Sequence, residues 1–332
     1  MRRPTYAGPV LPPTISWADG RIALVDQTAL PELRVVTVGT VDELVDAISR
    51  LVVRGAPALG VAGALGVALA ARTLSGPGLE AAAARLAAAR PTAVNLAVGV
   101  RRALAAAPQG PVAVLAAAQA VLDEDVAACR AIGARGAALL GELCGPGPLR
   151  LHTHCNAGAL ACVEWGTALG VVRSLHEAGR VALVVADETR PLLQGSRITA
   201  VELAEMGVPH RIVVDGAGAS IIARGLVDAV VVGADRVAAN GDVANKIGTY
   251  PLALAAARAG IPFVVAAPES TLDADTADGG LIEIEERAAD EVLAVGGTRM
   301  APPGGAAWNP AFDVTPADLV TAVVTERRVW RP

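Results

Sequence analysis

Gly145-Pro146-Gly147-Pro148-Leu149-Arg150-Leu151-His152 is the stretch whose reading decides the fold. Its alternating glycines and prolines stop any helix that precedes them, and the apolar run from Leu149 that follows reads as a strand. Comparable β-prone runs return at Val181 to Val185, Arg211 to Val214, Ala229 to Val232 and Pro262 to Ala266. The intervals between them hold Ala-rich helical patterns, so strand and helix alternate. That alternation predicts an α/β chain whose C-terminal part, residues 146–332, is a Rossmann-like, doubly wound parallel sheet with helices on both faces. Ligands of such sheets sit beyond the carboxyl ends of the strands.

Upstream of the break, residues 1–145 read as a smaller, mostly helical domain with a short strand-containing lead-in. Ile22-Ala23-Leu24-Val25 and Leu33 to Val38 are β-prone runs separated by Pro and Gly. Thr40-Val41-Asp42-Glu43 has the form of a helix start, Pro57 fits the first turn of another helix, and Leu79 to Arg90 is Ala-rich with arginines for its polar side. Gly55 to Ala71 is 17 residues without a charge, bounded by Arg54 and Arg72. It is short for a membrane span and dominated by Gly and Ala, which insert weakly, so a tightly packed buried helix is predicted.

The chain has 332 residues, 53% of them hydrophobic and 18% charged, enough to bury large cores. Aromatics make up 2%, so those cores are built from Ala, Val, Leu and Ile, which suits helices packed closely on a parallel sheet. A net charge of -5 offers no basic face for nucleic acid, and the aromatic platforms that stack single strands are missing. Cys129, Cys144, Cys155 and Cys162 are spaced neither as a zinc ribbon nor as a C-x-x-C pair, and no signal peptide precedes them, so a reducing cytoplasm is the expected location.

Four polar clusters could carry chemistry, and three of them fall at the ends of predicted strands. The first is His152-Thr153-His154-Cys155-Asn156-Ala157-Gly158, read as a strand end that opens a helix. A helix N-terminus lowers a thiol pKa and apolar surroundings raise it, so the residue types leave the protonation of Cys155 open. Cys129, Cys144 and Cys162 fit buried structural thiols. The second cluster runs from Asp187 to Arg197, where Gln194 can both donate to and accept from a sugar hydroxyl and Gly195 lets backbone approach a ligand. Glu188 and Arg190 read there as a structural ion pair.

The third cluster, Gly233 to Tyr250, holds Asp235, Asn240, Asp242, Asn245 and the chain's single lysine, Lys246, against 27 arginines. A compact ammonium grips a small anion as a point charge in a way the planar guanidinium does not. Asp235 directly follows an apolar strand, where burial would keep its carboxyl protonated as a general acid, whereas Asp242 shapes an Asn-Gly-Asp turn. The fourth, Arg54-Gly55-Ala56-Pro57, offers free amides and an arginine at a helix start, a natural phosphate site. Arg90-Pro91-Thr92, ahead of Asn95, repeats the device. Together they suggest a phosphorylated small ligand held between two domains.

These segments resemble the methylthioribose-1-phosphate isomerase family, which also includes related sugar-phosphate isomerases and regulatory subunits of a translation-initiation exchange factor. The likeness runs from Arg54-Gly55-Ala56-Pro57-Ala58-Leu59-Gly60 to Asn309-Pro310-Ala311-Phe312-Asp313-Val314-Thr315-Pro316, and Gly233 to Tyr250 is its most specific part. The resemblance implies that Cys155 and Asp235 are the catalytic pair and that Arg54, Gly55, Ala56, Arg90, Gln194, Asn245 and Lys246 bind substrate. It also implies a homodimer in the cytoplasm with no metal and no nucleotide cofactor, acting on a small sugar phosphate and on neither nucleic acid nor membrane. Cys162 and Val201 depart from the pattern, standing where a threonine-like and an aromatic residue are expected.

The residues make chemical sense of the reaction so implied, 5-methylthioribose 1-phosphate to 5-methylthioribulose 1-phosphate in methionine salvage. An aldose phosphorylated at its anomeric oxygen cannot open spontaneously, so an acid, Asp235, must protonate the ring oxygen first. Hydrogen then moves from C2 to C1, by proton abstraction through an enolate with Cys155 as base or by direct hydride shift with Cys155 polarising O2. An unperturbed thiol near pKa ~8.5 serves as a base only with help from its surroundings. A 5-deoxyribose 1-phosphate or a ribose 1,5-bisphosphate is an alternative substrate. The bisphosphate would need further cations, and the sequence shows no spare basic cluster once Arg54, Arg90 and Lys246 are assigned. A non-catalytic regulatory subunit of the same fold is the reading from a different class. A dinucleotide oxidoreductase lacks G-x-G-x-x-G after Leu149, and a cysteine hydrolase would need a base one or three residues from its nucleophile.

Overall fold

A computed structural model describes residues 11–91 and 93–332. Thr92 of the Arg90-Pro91-Thr92 turn lies outside the described residues, as do residues 1–10, on which the expectation of no leader rests. The lead-in is a three-stranded antiparallel sheet of β1 (Ile15–Ala18), β2 (Arg21–Val25) and β3 (Val35–Val38). Helix α1 (Val41–Ser49) begins where the sequence places it: the Thr40 side chain accepts from the Glu43 amide while the Glu43 carboxylate accepts from the Thr40 amide, a capping box.

The uncharged stretch is α2 (Ala56–Ala71), and every residue from Ala58 to Ala71 is buried. Around it stand α3 (Gly76–Ala88), α4 (Val94–Leu104) and the long α5 (Pro111–Cys144). Such a helix is buried all round only if its neighbours approach closely, and small residues permit this. A Cβ on Gly99 of α4 would fall onto the Gly60 carbonyl of α2, and one on Gly63 would lie 2.6 Å from the Leu96 carbonyl oxygen. Backbone thus packs on backbone, which is how a chain with so few aromatics fills this core.

After the Gly-Pro break the chain runs through β4 (Leu149–Thr153), α6 (Ala168–Glu177), β5 (Val181–Asp187), α7 (Ala200–Glu205), β6 (His210–Val213), α8 (Gly218–Ala223) and β7 (Ala229–Val232). It continues through β8 (Arg236–Ala238), β9 (Val243–Lys246), α9 (Thr249–Ala259), β10 (Phe263–Ala266), β11 (Leu272–Asp273), α10 (Asp290–Leu293), β12 (Ala294–Val295), β13 (Thr298–Arg299), β14 (Phe312–Thr315), β15 (Ala322–Val324) and β16 (Val329–Trp330). The main sheet has the order β16-β15-β10-β7-β4-β5-β6, parallel except for β16. Its central strands β7 and β10 are buried on both faces, and period-two alternation divides them: Ala229, Val231, Val264 and Ala266 face one core with Ile132, Leu140, Leu169 and Leu175, while Val230, Val232, Phe263 and Val265 face another with Ile222 and Leu252. Helix α5 serves the helical core through Val114 and Ala118 and the sheet core through Ile132, Leu139 and Leu140.

Chain order reverses between β4 and β7, the switch point where such sheets open a crevice at their carboxyl ends. A smaller sheet, β11-β8-β9-β14, is built from the segment that leaves β7 and from a return near the C-terminus. It hangs Asn245 and Lys246 beside that crevice, with β14 paired antiparallel to β9.

Gly99→Ala is the sharpest test of the helical core. Helix propensity alone would favour alanine by about 1 kcal/mol. The collision with the Gly60 backbone should outweigh this, for a net loss of about 2 kcal/mol or more in equilibrium urea unfolding. Unchanged stability would mean that the α2–α4 crossing can open.

Candidate active site

Cys155 follows the end of β4 with φ of 59°, a left-handed backbone that non-glycine residues rarely hold. Two threonines clamp it there. Thr189 Oγ1 accepts from the Cys155 amide at 2.9 Å, and Thr199 Oγ1 donates to the Cys155 carbonyl at 2.5 Å. No helix opens at this point: a short turn at Ala159–Ala161 intervenes and α6 begins only at Ala168, so the expected helix N-terminus beside the thiol is absent. Instead the chain bends away to meet the helical part, where the Leu160 and Val163 carbonyls accept from Gln27 and Thr14.

Asp235 leaves β7 and is fixed by its amide, which donates to the Ala244 carbonyl at 2.9 Å. From the other side comes Arg54, its Nε donating to Gln27 Oε1 at 3.0 Å and its Nη1 to the Asn156 carbonyl at 2.8 Å, with Nη2 on Asn156 Oδ1. Those bonds leave two of its five N–H groups for a ligand. Gly55 follows with φ of 96°, and a Cβ there would collide with the Ala161 backbone, so only glycine lets α2 begin this close to the sheet. Gln194 is buried in the loop after β5, and its Oε1 has no protein partner.

All nine expected residues, Cys155, Asp235, Arg54, Gly55, Ala56, Arg90, Gln194, Asn245 and Lys246, line one cleft. Leu51, Leu192, Pro268 and Phe312 add apolar wall, and Arg287 adds a cation. Arg287 is a further cation beside the three assigned from the sequence, where no spare basic cluster was expected. It sits in the Glu-rich stretch Glu283 to Glu291. Only the pairing of β14 with β9, and of Arg287 N–H with the Asn309 carbonyl at 3.0 Å, carries it to the cleft. Gly195 is corrected too: a Cβ there would meet the Asp187 carbonyl, so its bareness serves close packing of the protein on itself.

Burial governs the protonation of the site. It pushes the Cys155 thiol up despite the pull of Arg54 and Lys246, and the Asp235 carboxyl up despite Lys246, Arg90 and Arg54. The Lys246 ammonium is pushed down by burial, against Cys155 and Asp235, with Arg90 and Arg287 adding repulsion. Its Nζ donates to the Ala311 carbonyl at 2.8 Å and lies 4.7 Å from the Phe312 ring centre.

Beneath the cleft two networks brace these groups. Buried Glu202 accepts from the Ala159 amide at 2.7 Å and from Asn156 Nδ2 at 2.8 Å, which aims the Asn156 oxygen at Arg54. Buried Asp187 takes His152 Nε2 at 2.9 Å and His154 Nδ1 at 2.8 Å, and His154 Nε2 lies 2.7 Å from the Ile247 carbonyl. Both His154 ring nitrogens thus face oxygens, one of the Asp187 carboxyl and one of the Ile247 backbone. The pair ties the ends of β4 and β5 to the turn after Lys246. Gly248 fits that turn because a Cβ would lie 2.7 Å from the His154 ring, at a φ of 105°.

Residues 52–332 match the model of the Initiation factor 2 subunit family. A methylthioribose-1-phosphate isomerase of Anaeromyxobacter dehalogenans is 55% identical over 329 residues, covering 98% of this chain and 96% of the relative. A probable bifunctional methylthioribose-1-phosphate isomerase/methylthioribulose-1-phosphate dehydratase of Nocardia farcinica is 55% identical over 97% of this chain, which spans only 59% of that longer protein. A 5-deoxyribose 1-phosphate isomerase of Moorella thermoacetica is 51% identical over 98% of this chain and 95% of its own. Among solved structures, the 5-methylthioribose 1-phosphate isomerase of Pyrococcus horikoshii OT3 superposes with a TM-score of 0.89 at 40% identity, over 97% of this chain and 93% of that one.

Asp187→Asn tests the buried pair. Burial raises the Asp187 carboxyl, but the bonds from His152 and His154 outweigh it and hold the group below its usual value. A depressed carboxylate stabilises the fold above its unfolded pKa and loses that contribution as pH falls through the folded one. The variant should therefore lose about 3 kcal/mol at neutral pH and show a flatter acid limb than the parent in denaturation followed from pH 7 to 2. An acid limb identical to the parent's would show that Asp187 is not the group being lost.

Proposed function

The chain belongs to the Initiation factor 2 subunit family, and from that premise we propose that it converts 5-methylthioribose 1-phosphate to 5-methylthioribulose 1-phosphate, an aldose–ketose isomerisation of methionine salvage. The observation that carries this reading is the gathering of Cys155 and Asp235, both with raised pKa values, with Arg54, Arg90, Gln194, Asn245 and Lys246 in one buried cleft. We assign Arg54, Arg90 and Lys246, with the amides at Gly55 and Ala56, to the phosphate, and Gln194 and Asn245 to the sugar hydroxyls. The apolar wall at Leu51, Leu192 and Pro268 suits an uncharged 5-substituent. The likeness to a 5-deoxyribose 1-phosphate isomerase supports that substrate as a second reading.

In the mechanism we propose, Asp235 donates its proton to the ring oxygen as the C1–O4 bond breaks, leaving C1 electron-poor and still bonded to the phosphate oxygen. The C2 hydrogen then passes with its electron pair to C1. The O2 hydroxyl loses its proton to the Asp235 carboxylate as C2 becomes a ketone, so protons and electrons balance. A thiol held protonated by burial is a poor base, and its weak S–H donor can orient a hydroxyl without removing its proton. That supports hydride transfer, with Cys155 orienting O2, over an enolate made by a thiolate. A dry cleft also protects the electron-poor C1 from water.

We place the cleft between domains 1–145 and 146–332 and propose a cytoplasmic homodimer. The four unpaired cysteines support the location, and Trp308, 93% exposed, supports a surface that a second copy covers. Among the described residues no helix is long and apolar enough to cross a membrane.

Phosphorus and proton NMR of methylthioribose 1-phosphate with the purified protein is the test. Asp235→Asn and Cys155→Ala, shown to be folded, should each lower kcat by about 100-fold or more. Absence of conversion by the folded parent would sink the reading in favour of a non-catalytic ligand-binding subunit. In D2O the ketose should keep its protium at C1, whereas deuterium there would establish the enolate route. The rate should fall as pH rises through the Asp235 pKa, because the acid is needed protonated and burial has raised it.

A further inference from the structure

The cleft holds one more cation than a single phosphate requires, and the structure cancels it. Arg287 donates through Nη1 to Glu285 Oε1 at 2.9 Å, through Nε to Glu291 Oε2 at 2.9 Å and through Nη2 to Glu291 Oε1 at 2.5 Å. Glu285 also faces Arg90, Oε2 to Nη2 at 3.7 Å, beyond hydrogen-bond length. Arg90 and Arg287 carry two positive charges and Glu285 and Glu291 two negative ones, so the four sum to zero. Arg54 and Lys246, by contrast, bond to uncharged oxygens and keep their charge for a ligand. Backbone fixes the cluster in place, since the Ala311 amide donates to the Glu285 carbonyl at 2.8 Å and Arg287 N–H to the Asn309 carbonyl.

We propose that Glu285 is a specificity-determining residue: by sharing with Glu291 the neutralisation of Arg287, and by tempering Arg90, it leaves the cleft enough positive charge for one phosphate and bars a second. This rests on the isomerase reading and adds to it a residue-level reason for rejecting a sugar bisphosphate. Exclusion of the second phosphate depends on an acid that masks a cation, not on a shortage of cations. A like-charge obstacle inside a partly buried site is an effective filter, because the repelled group has little water to screen it.

Glu285→Gln leaves the four-residue cluster one positive charge in excess, and Arg287→Gln leaves it one negative. The first should raise the ratio of kcat/KM for ribose 1,5-bisphosphate over methylthioribose 1-phosphate by about tenfold or more, and the second should lower it. Glu285→Asp, which keeps the charge, should stay near the parent ratio, and the Glu285→Gln/Arg287→Gln double variant, neutral again, should return to it. Inorganic phosphate titrated calorimetrically should bind several-fold tighter to Glu285→Gln and weaker to Arg287→Gln, at about the scale of one charge pair. Opposite signs are the signature, because a merely structural role would weaken both variants alike. Parallel loss in both, or phosphate affinity unmoved in both, overturns the proposal. If the parent turns over neither sugar phosphate the isomerase reading falls, and the phosphate titration still decides the masking of Arg287.

Discussion

Burial of charge-bearing groups at the switch point of the sheet is the constraint on which the rest of this structure depends. Cys155, Asp235, Lys246 and Arg54 are all shifted first by loss of water and only second by one another. In each case the shift favours the neutral form. Burial moves the thiol and the carboxyl towards their protonated, neutral forms and makes the Lys246 ammonium easier to deprotonate, while the Arg54 guanidinium stays charged. A cleft built this way is poised for an acid-first reaction and poorly suited to one that begins with an anionic base. Desolvation of this kind opposes folding, so the protein has to hold each group by other means.

The holding is done mainly by backbone and by small residues. Threonine hydroxyls fix Cys155 on both sides of its left-handed turn, and Asn156, braced by Glu202, fixes Arg54. The His154–Asp187 pair ties the ends of β4 and β5 beside the cysteine to the turn that follows Lys246. Glycine enters where bulk would separate these parts: Gly55 allows α2 to start against Ala161, and Gly248 allows the turn to pass the His154 ring. The same economy of bulk lets α2 and α4 cross with backbones nearly touching. Composition, packing and site are therefore linked, because a helical core built on larger side chains would set Arg54 farther from the sheet.

Much of this was legible in the sequence because its signals are local. Pro-Gly punctuation at 145–148, apolar runs such as Ala229 to Val232, and the Thr40/Glu43 spacing each specify an element within a few residues. Polar groups placed just after such runs, Cys155 and Asp235 among them, were legible as a site because parallel strands put their carboxyl ends together. What escaped was non-local or depended on backbone direction. The helix expected after Cys155 is missing because the segment must cross to the helical part. Arg287 joins the site only through two successive antiparallel pairings, and nothing in Glu283 to Glu291 taken alone separates it from a solvated surface. The part His152 and His154 play is non-local as well, since both are engaged by Asp187, 35 and 33 residues downstream.

The segment that carries Glu285, Arg287 and Phe312 also forms part of the cleft wall. It follows β10, pairs with β9 through β14 and lays Phe312 against the Lys246 ammonium. Lys246 is thereby enclosed by an aromatic face and a carbonyl, neither of which neutralises it, so its charge is left for a ligand. Arg287 arrives on the same strip of chain and is met at once by two carboxylates. The strip thus delivers one masked cation, Arg287, and surrounds a second, Lys246 of β9, without masking it, and the difference between them is set by which neighbours the backbone pairing supplies. The charge offered to the substrate is in this sense a property of strand register: a shift of β14 against β9 by one residue would move Phe312 off Lys246 and turn its ring to the opposite face.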